Sequence, residues 1–331
     1  MKTKYIFSVG ELSRRDNSLY FKREDKKYVY IPIEGIREIY CMNEVSINTK
    51  LLDFLSRNQI VVHFFNYHQG YSGTFYPKEN LVSGKLIVKQ AMAYQTKRLE
   101  IAKAIVAGIG DNMQVVLGHY SRHGNEIARD CIKQLNLDIK SAEKAPDVKR
   151  LLAIEGSMWQ KFYGTFNSFL REDFVMNTRV KRPPDNPINA MISFGNMFLY
   201  TRTISQIYQT HLEQTISFLH EPSSQRFSLS LDLSEVFKPA IVFKTIFDCI
   251  NNRKIQVDKH FDKKYNYCLL NEEGRKKFTD ELQKKMDETF IHSKLKRRVT
   301  YNTALKLEGY KLIKKIMEDE SFIPFSMKEL R

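Results

Sequence analysis

Cysteine is scarce in this chain, and the four that occur, Cys41, Cys131, Cys249 and Cys268, stand far apart. None has a partner at zinc-knuckle spacing, so they read as reduced thiols of a core. Long apolar runs are also missing. The longest uncharged stretches, such as PAIVF at 239–243, fall far short of the roughly 20 residues a membrane span requires. The opening MKTKYIFSVGELSRRD has no sustained apolar segment, and charge returns at Glu11. It therefore reads as no secretory signal, and a cytoplasmic protein is expected. No internal repeat or low-complexity tract occurs.

What the chain does have is size and positive charge. Its 331 residues, 42% of them hydrophobic, can fill a large core or two smaller ones. Lysine and arginine number 53 against 38 acids, a formal net charge of +15. The resulting pI of about 9.4 points to polyanions as partners. The excess is spread along the chain, a broad footprint rather than a basic tail.

The first part reads as strands. KYIFSVG, SLYFKR, KYVYIPI, REIYCM and IVVHFF are short, rich in Val, Ile, Tyr and Phe, and punctuated by RRDN, REDKK and Pro32. NTKLLDFLSRN, with Leu51, Leu52 and Leu55 at helical spacing, predicts a short crossover helix, and NYHQGYSGTFYP closes the region with turn residues. From Leu86 the apolar period lengthens to three and four. The expected organisation is α+β: a small β-rich domain over 1–76, a linker over 77–84, and a larger all-α domain over 85–331. VKRPPDNPINA at 180–190 predicts a loop between two helical groups, because each proline removes a backbone donor.

Chemistry concentrates in two places. In VKRLLAIEGSMWQKFYGTF, Val148, Leu152, Glu155, Trp159, Phe162 and Phe166 fall on one helical face, so Glu155 interrupts an apolar stripe. A carboxylate buried there must be neutralised by a proton, a base or a metal. The plainer reading is that it pairs with an arginine or reaches the rim. In FLHEPSSQRFSLSLDLSEVFKP, His220, Glu221, Asp232 and Glu235 lie close in sequence among leucines. ISQIYQTHLEQTISFLHEP predicts an amphipathic helix that Pro222 ends just after His220, where a histidine can equally be a helix cap. Asp232 and Glu235, three apart, project from one side of a helix, as two ligands or two solvated acids would. Gathered together, these acids and the imidazole would suit a hard divalent cation, Mg²⁺ or Mn²⁺. No Ser/His/Asp arrangement stands out.

These motifs carry a resemblance. EGSMWQKFYGTF, RPPDNPINAMISFGNMFLYT, FLHEPSSQRFSLSLDLSEVFKP and LEGYKLIKKIMEDESFIPF, together with YIFSVGELSRRDNSLYF and GYSGTFYP, resemble in order the CRISPR-associated integrase, protein number one of that series and the catalytic subunit of spacer acquisition. The resemblance implies a β-rich amino-terminal domain that builds a homodimer and a helical domain with an Mg²⁺ or Mn²⁺ site. Its metal ligands would be Glu155, His220 and Glu235, with Asp232 supporting the metal or the proton traffic. Where the family often has Asp, Glu235 is one methylene longer. The implied activity is insertion of short DNA duplexes into a CRISPR array by attack of a 3′ hydroxyl on a phosphodiester, with a small ferredoxin-like second adaptation protein as partner. Arg226, between the histidine and the acids, is the candidate phosphate contact. A stand-alone nuclease on branched DNA or RNA, and a basic non-catalytic DNA scaffold, remain the competing readings.

Overall fold

The structure is a computed structural model that describes residues 2–25, 27–66, 70–77, 83–181, 183–222, 227–264 and 267–329. The chain divides into two compact units, Met1–Val82 and Ser83–Arg331. Most of the expected linker, 78–82, lies outside the described residues, as does Arg226.

The first unit holds two sheets. Strands β1 (Lys2–Ile6), β5 (Ile36–Cys41), β7 (Val61–Phe65) and β8 (Tyr71–Phe75) lie in the order β1-β5-β7-β8. Parallel pairing sets Tyr5 beside Tyr40 and Ile39 beside Val62. The second sheet runs β4 (Tyr28–Pro32), β3 (Ser18–Arg23), β2 (Gly10–Arg15), β6 (Val45–Ser46). Helix α1 (Thr49–Arg57), capped by Asn48, makes the crossover between β6 and β7. Leu12, Leu19, Phe21 and Ile31 of one sheet, Ile6, Ile39 and Val62 of the other, and Leu51, Phe54 and Leu55 of α1 share one core.

Three strands were not legible as such. β2 carries a single buried side chain, Leu12, and its RR-DN end is a two-residue hairpin turn with Asp16 at φ 54°. β6 is only two residues. β8 hides behind Gly70 and Gly73, yet pairs with β7, where Thr74 Oγ1 meets His63 Nδ1 at 2.7 Å.

The second unit is built on α2 (Gly84–Arg122). By length and composition α2 could cross a membrane, but 61% of its most apolar window is buried inside the unit, as in a core helix. Against it pack α3 (Glu126–Glu143), α4 (Val148–Gly164) and α6 (Ser228–Lys238); α5 (Pro187–Tyr208) lies on α6, and α7 (Lys244–Asn251) follows. Two small hairpins join the helices: β9 (Phe261–Lys264) with β10 (Tyr267–Leu270), which follows α8 (Val257–His260), and β11 (Thr289–Ile291) with β12 (Arg298–Thr300). Helix α9 (Glu272–Asp287) lies between them and α10 (Tyr301–Glu318) follows. The proline break ends where Asn186 caps α5 through the Asn189 N–H and Pro187 takes the first turn, a position that needs no backbone donor. Between α6 and α7, Pro239–Phe243 winds as a π-helix, a form that clusters at functional sites. The four cysteines are buried free thiols.

The helix expected to run to His220 stops at Tyr208. Thr210 turns its hydroxyl back onto the Ile207 carbonyl, and from there the backbone bonds to other elements. Gln90 of α2 donates to the carbonyls of Glu213 and Ile216 and accepts from the Glu213 N–H. Gln214 takes the Leu229 N–H on its carbonyl, and its side chain takes the Ser230 hydroxyl. Tertiary partners thus override a helical period.

The segment after α10 is held by one buried amide. Asn112 donates to the carbonyls of Val236 (2.9 Å) and Phe325 (3.0 Å) and accepts the Met327 N–H (2.7 Å), while Phe325 stacks on Phe237 at 4.5 Å. Asn112→Leu is expected to lower the unfolding free energy by about 2–4 kcal/mol, since three buried backbone groups lose their partner. Urea denaturation measures it, with hydrogen exchange at 322–329 rising in parallel; a loss under about 0.5 kcal/mol, the range of surface substitutions, would mean that other contacts hold the tail.

Candidate active site

Two helices and one irregular segment supply the site. Helix α4 starts at Asp147, whose carboxylate accepts the Arg150 N–H. The helical period then places Glu155, Trp159 and Tyr163 on one face at steps of four. Helix α6 presents Asp232, Glu235 and Lys238 at steps of three. His220 sits on neither helix. It ends the segment 209–220, so its position depends on what holds that segment down.

Asp232 holds it. This fully buried carboxylate accepts the backbone N–H groups of Phe218 and Leu219 on one oxygen, both at 2.8 Å, and that of His220 at 3.0 Å on the other. The second oxygen also meets His220 Nδ1 at 2.8 Å. An ionised carboxylate can only accept, so Nδ1 carries the hydrogen and the neutral ring keeps its free lone pair on Nε2. Arg98 of α2 secures the far side through the Phe218 carbonyl at 3.0 Å and the Glu221 carboxylate at 2.6 Å. Glu221, part of the acidic cluster in the sequence, is thereby turned to an exposed ion pair.

The remaining acids face each other across α4 and α6. Glu155 Oε1 accepts the Trp159 indole N–H at 2.6 Å. Burial, then the charge of Glu235, push the Glu155 carboxyl up to about 7, against the pull of Lys238, His220 and the indole hydrogen bond. Glu235 is buried and ion-paired with Lys238 through Oε1, while its Oε2 is buried without a hydrogen-bond partner. The Lys238 ammonium also lies over the Trp159 ring at 5.7 Å. His220 feels burial, which disfavours its charged form, but the hydrogen bond to and charge of Asp232, with Glu235 and Glu155, raise it above its ordinary value.

The expected ligands Glu155, His220 and Glu235 are thus electrostatic neighbours, and Asp232 touches His220. Among the described residues no three His, Cys, Asp or Glu side chains close into a ready ligand set. Lys238 on Glu235, and the proton that Glu155 keeps to about pH 7, stand where a cation's charge would act. The donors available to an ion are two carboxylates and one imidazole nitrogen, a set for hard divalent cations. Sequence reasoning passed over Lys238, although it was reachable as the next three-step on the Asp232 and Glu235 face.

Residues 4–284 match the family described as CRISPR associated protein Cas1. The chain is 42% identical to CRISPR-associated endonuclease Cas1 2 of Thermodesulfovibrio yellowstonii, over 98% of each chain. Its fold superposes on a Cas1 protein from Thermotoga maritima with a TM-score of 0.87 and 38% identity, over 97% of this chain and 99% of that one. A casposase bound to integration product matches at a TM-score of 0.85 over 100% of this chain and 95% of that one, but at 19% identity it shares the fold alone. A family match over most of the chain and full-length identity near two-fifths carry one conclusion: the chain belongs to the Cas1 family of CRISPR-associated proteins.

Proposed function

We propose that this protein is a metal-dependent DNA integrase and endonuclease of CRISPR adaptation, with Glu155, His220 and Glu235 as its metal-binding residues. The observation that carries the reading is the pair of half-buried Glu155 and buried Glu235 beside His220, neutralised by a proton and by Lys238. Two properties fit a divalent cation: the unpartnered buried oxygen of Glu235 and the proton that Glu155 retains to about pH 7. A cation favours ionised acids and neutral histidine. When bound, it would supply Lewis-acid activation of a phosphodiester. Asp232 is a positioning residue: it fixes the tautomer and direction of His220, as outer partners of metal-binding histidines do. Dispersed lysines and arginines would hold the DNA backbone. The relatives' names include endonuclease, which supports phosphodiester chemistry here.

Pairing of two chains belongs to the same reading. β4 is an edge strand with Tyr28, Val29 and Tyr30 exposed at 59%, 43% and 54%. Tyr20 contacts both tyrosines at 5.5 and 5.2 Å, and Arg15 donates to the Tyr30 hydroxyl. An apolar edge of this kind invites a second copy. A small second adaptation protein would join the dimer to complete the complex.

Three measurements test these statements. Mixing a short duplex with a leader-repeat target should give branched, joined products; cleavage without joining would leave the stand-alone nuclease. His220→Ala should reduce joining by at least about 100-fold with DNA affinity within about twofold. Affinity itself should fall at least about 100-fold between about 50 and 200 mM salt through counterion release, and a flat salt dependence would refute phosphate-held binding.

Metal-free stability should depend on pH through Glu155. Unfolded, its carboxyl ionises near 4.5; folded, it keeps its proton to about 7. The group's contribution is therefore intact below pH 4.5 and is lost as pH rises to about 7. In chelator at about pH 8, Glu155→Gln should be more stable than the parent by about 1–3 kcal/mol, and Mn²⁺ should raise the melting temperature of the parent more than that of the variant. Equal melting curves at both ends of the range would show that Glu155 is not held out of its charged form.

For the dimer, light scattering of the full chain should give twice the chain mass, and Val29→Lys with Tyr30→Lys should give the single mass. A substituted protein that stays dimeric would place the interface elsewhere.

A further inference from the structure

The hairpin of β11 and β12 joins α9 to α10, and its tip reads HSKLKRR over residues 292–298. Lys294 to Arg298 are all exposed, and four of these five side chains are cationic. Among the described residues none of the four is in an ion pair. The flanking helices differ: Lys276, Lys284 and Lys285 on α9 and Lys311, Lys314 and Lys315 on α10 each pair with an acid. The acids whose charge reaches the hairpin are engaged elsewhere, Glu329 by the Ser293 hydroxyl and Glu320 by Lys314 at 3.1 Å. Four like charges on one turn repel one another, so the fold gains nothing by collecting them.

One histidine keeps the tip in shape. The His292 N–H donates to the Arg297 carbonyl at 3.0 Å, its carbonyl accepts the Lys296 N–H at 2.9 Å, and its ring Nδ1 accepts the N–H groups of Lys294 and Leu295 at 3.2 and 3.3 Å. Burial and the charges of Lys311, Lys294 and Arg297 hold the imidazole below its ordinary value, against Glu329, so the neutral ring keeps that acceptor. Lys296 stands at φ 52°, in the left-handed region that a glycine adopts without strain. Arg298 Nη1 crosses to Thr289 Oγ1 at 3.1 Å. The base is fixed as well: Phe290 of β11 meets Phe325 at 5.9 Å, and Phe325 stacks on Phe237 of α6. Phe237 is two residues, about 200° of helix, from Glu235. The hairpin is thus anchored to the side of α6 that faces away from the acids. A turn ordered in advance loses little entropy when it binds.

We infer that the β11–β12 tip is a discrete anchor for the sugar-phosphate backbone of duplex DNA, with Lys294, Lys296, Arg297 and Arg298 contacting phosphates away from the reacting one. The inference rests on the proposed DNA-processing function. An acidic protein face would also offset these charges, but a duplex presents one negative charge per about 1.7 Å of axis, a density that suits four cations in five residues better than scattered carboxylates do. Contacts of this kind position a duplex and carry no sequence information.

The test is the full chain with Lys294, Lys296 and Arg297 all changed to glutamine; Arg298 is kept for its cross-strand bond. Affinity for a short duplex, measured in chelator, should fall at least about 10-fold near 100 mM salt, and the slope of log affinity against log salt should shrink by about 2 to 3, near 0.9 for each lost phosphate contact. The loss should be equal for a leader-repeat duplex and a scrambled one, with the melting temperature unchanged. Lys140, Lys144 and Lys149 changed to glutamine, the same loss of charge around the α3–α4 turn, should alter the slope by less than about 1. An unchanged slope in the hairpin variant, an equal change in the α3–α4 control, or a loss confined to one duplex sequence would each overturn the inference; the first is what an acidic protein partner at the hairpin would give. Binding needs no chemistry, so a parent protein that holds DNA but neither joins nor cuts it would refute the proposed function and leave this inference standing, whereas one that holds no DNA would refute both.

Discussion

One buried carboxylate organises the site. Asp232 lies where no water reaches it, and an isolated charge there would be costly. Three backbone N–H groups and the imidazole compensate for it. The bargain is mutual, since residues 218–220 lie outside any helix or strand and their amides would otherwise go unpaired. Removing one partner of such a set costs far more than the set contributes when whole. The direction of His220 is consequently a property of α6, two turns of which carry Asp232, Glu235 and Lys238 as a rigid row. The same helix is tied on its other side through the Val236 carbonyl to Asn112 and the tail. Loop, helix and tail thus share one framework around the acids.

Periodicity explains which parts of this could be read in advance. Glu155 stood out because an acid within an apolar stripe violates a 3.6-residue pattern, and Asp232 with Glu235 because three-residue spacing puts both on one helical face. Strands such as β5 and β7 were legible by composition, as short runs rich in Ile, Val, Tyr and Phe between turn residues. β2 was not, because its one buried residue, Leu12, is too little signal. The segment 209–220 misled because Leu212, Ile216 and Leu219 keep a helical spacing while Thr210 and Ser217 turn their hydroxyls onto nearby carbonyls and the backbone and Gln214 bond to Gln90, Asp232, Leu229 and Ser230. Tertiary hydrogen bonding leaves no period in a sequence. Arg179 illustrates the same limit, for nothing in VMNTRV announces that it will meet Asn189 and Ser193 on the helix that follows.

The acids and the surface charge act over different distances. Lysines and arginines dispersed over the chain attract a polyanion at the range of a Debye length, about 8 Å in physiological salt, and hold it through phosphates without reference to sequence. Close to the site the sign reverses, because Glu155, Asp232 and Glu235 would repel the phosphates that the surface gathers. Asp232 is the exception among them, its charge already spread over four hydrogen bonds. Glu155 and Glu235 are the two whose neutralisation is provisional, one by a proton held to about pH 7 and the other by an ammonium three residues away. Both substitutes can leave without unfolding anything, since neither supports the backbone. A site whose permanent charges are satisfied by the fold and whose remaining charges are satisfied by exchangeable groups is what the proposed function requires, since a cation and a phosphate arriving together would each offset the other's charge.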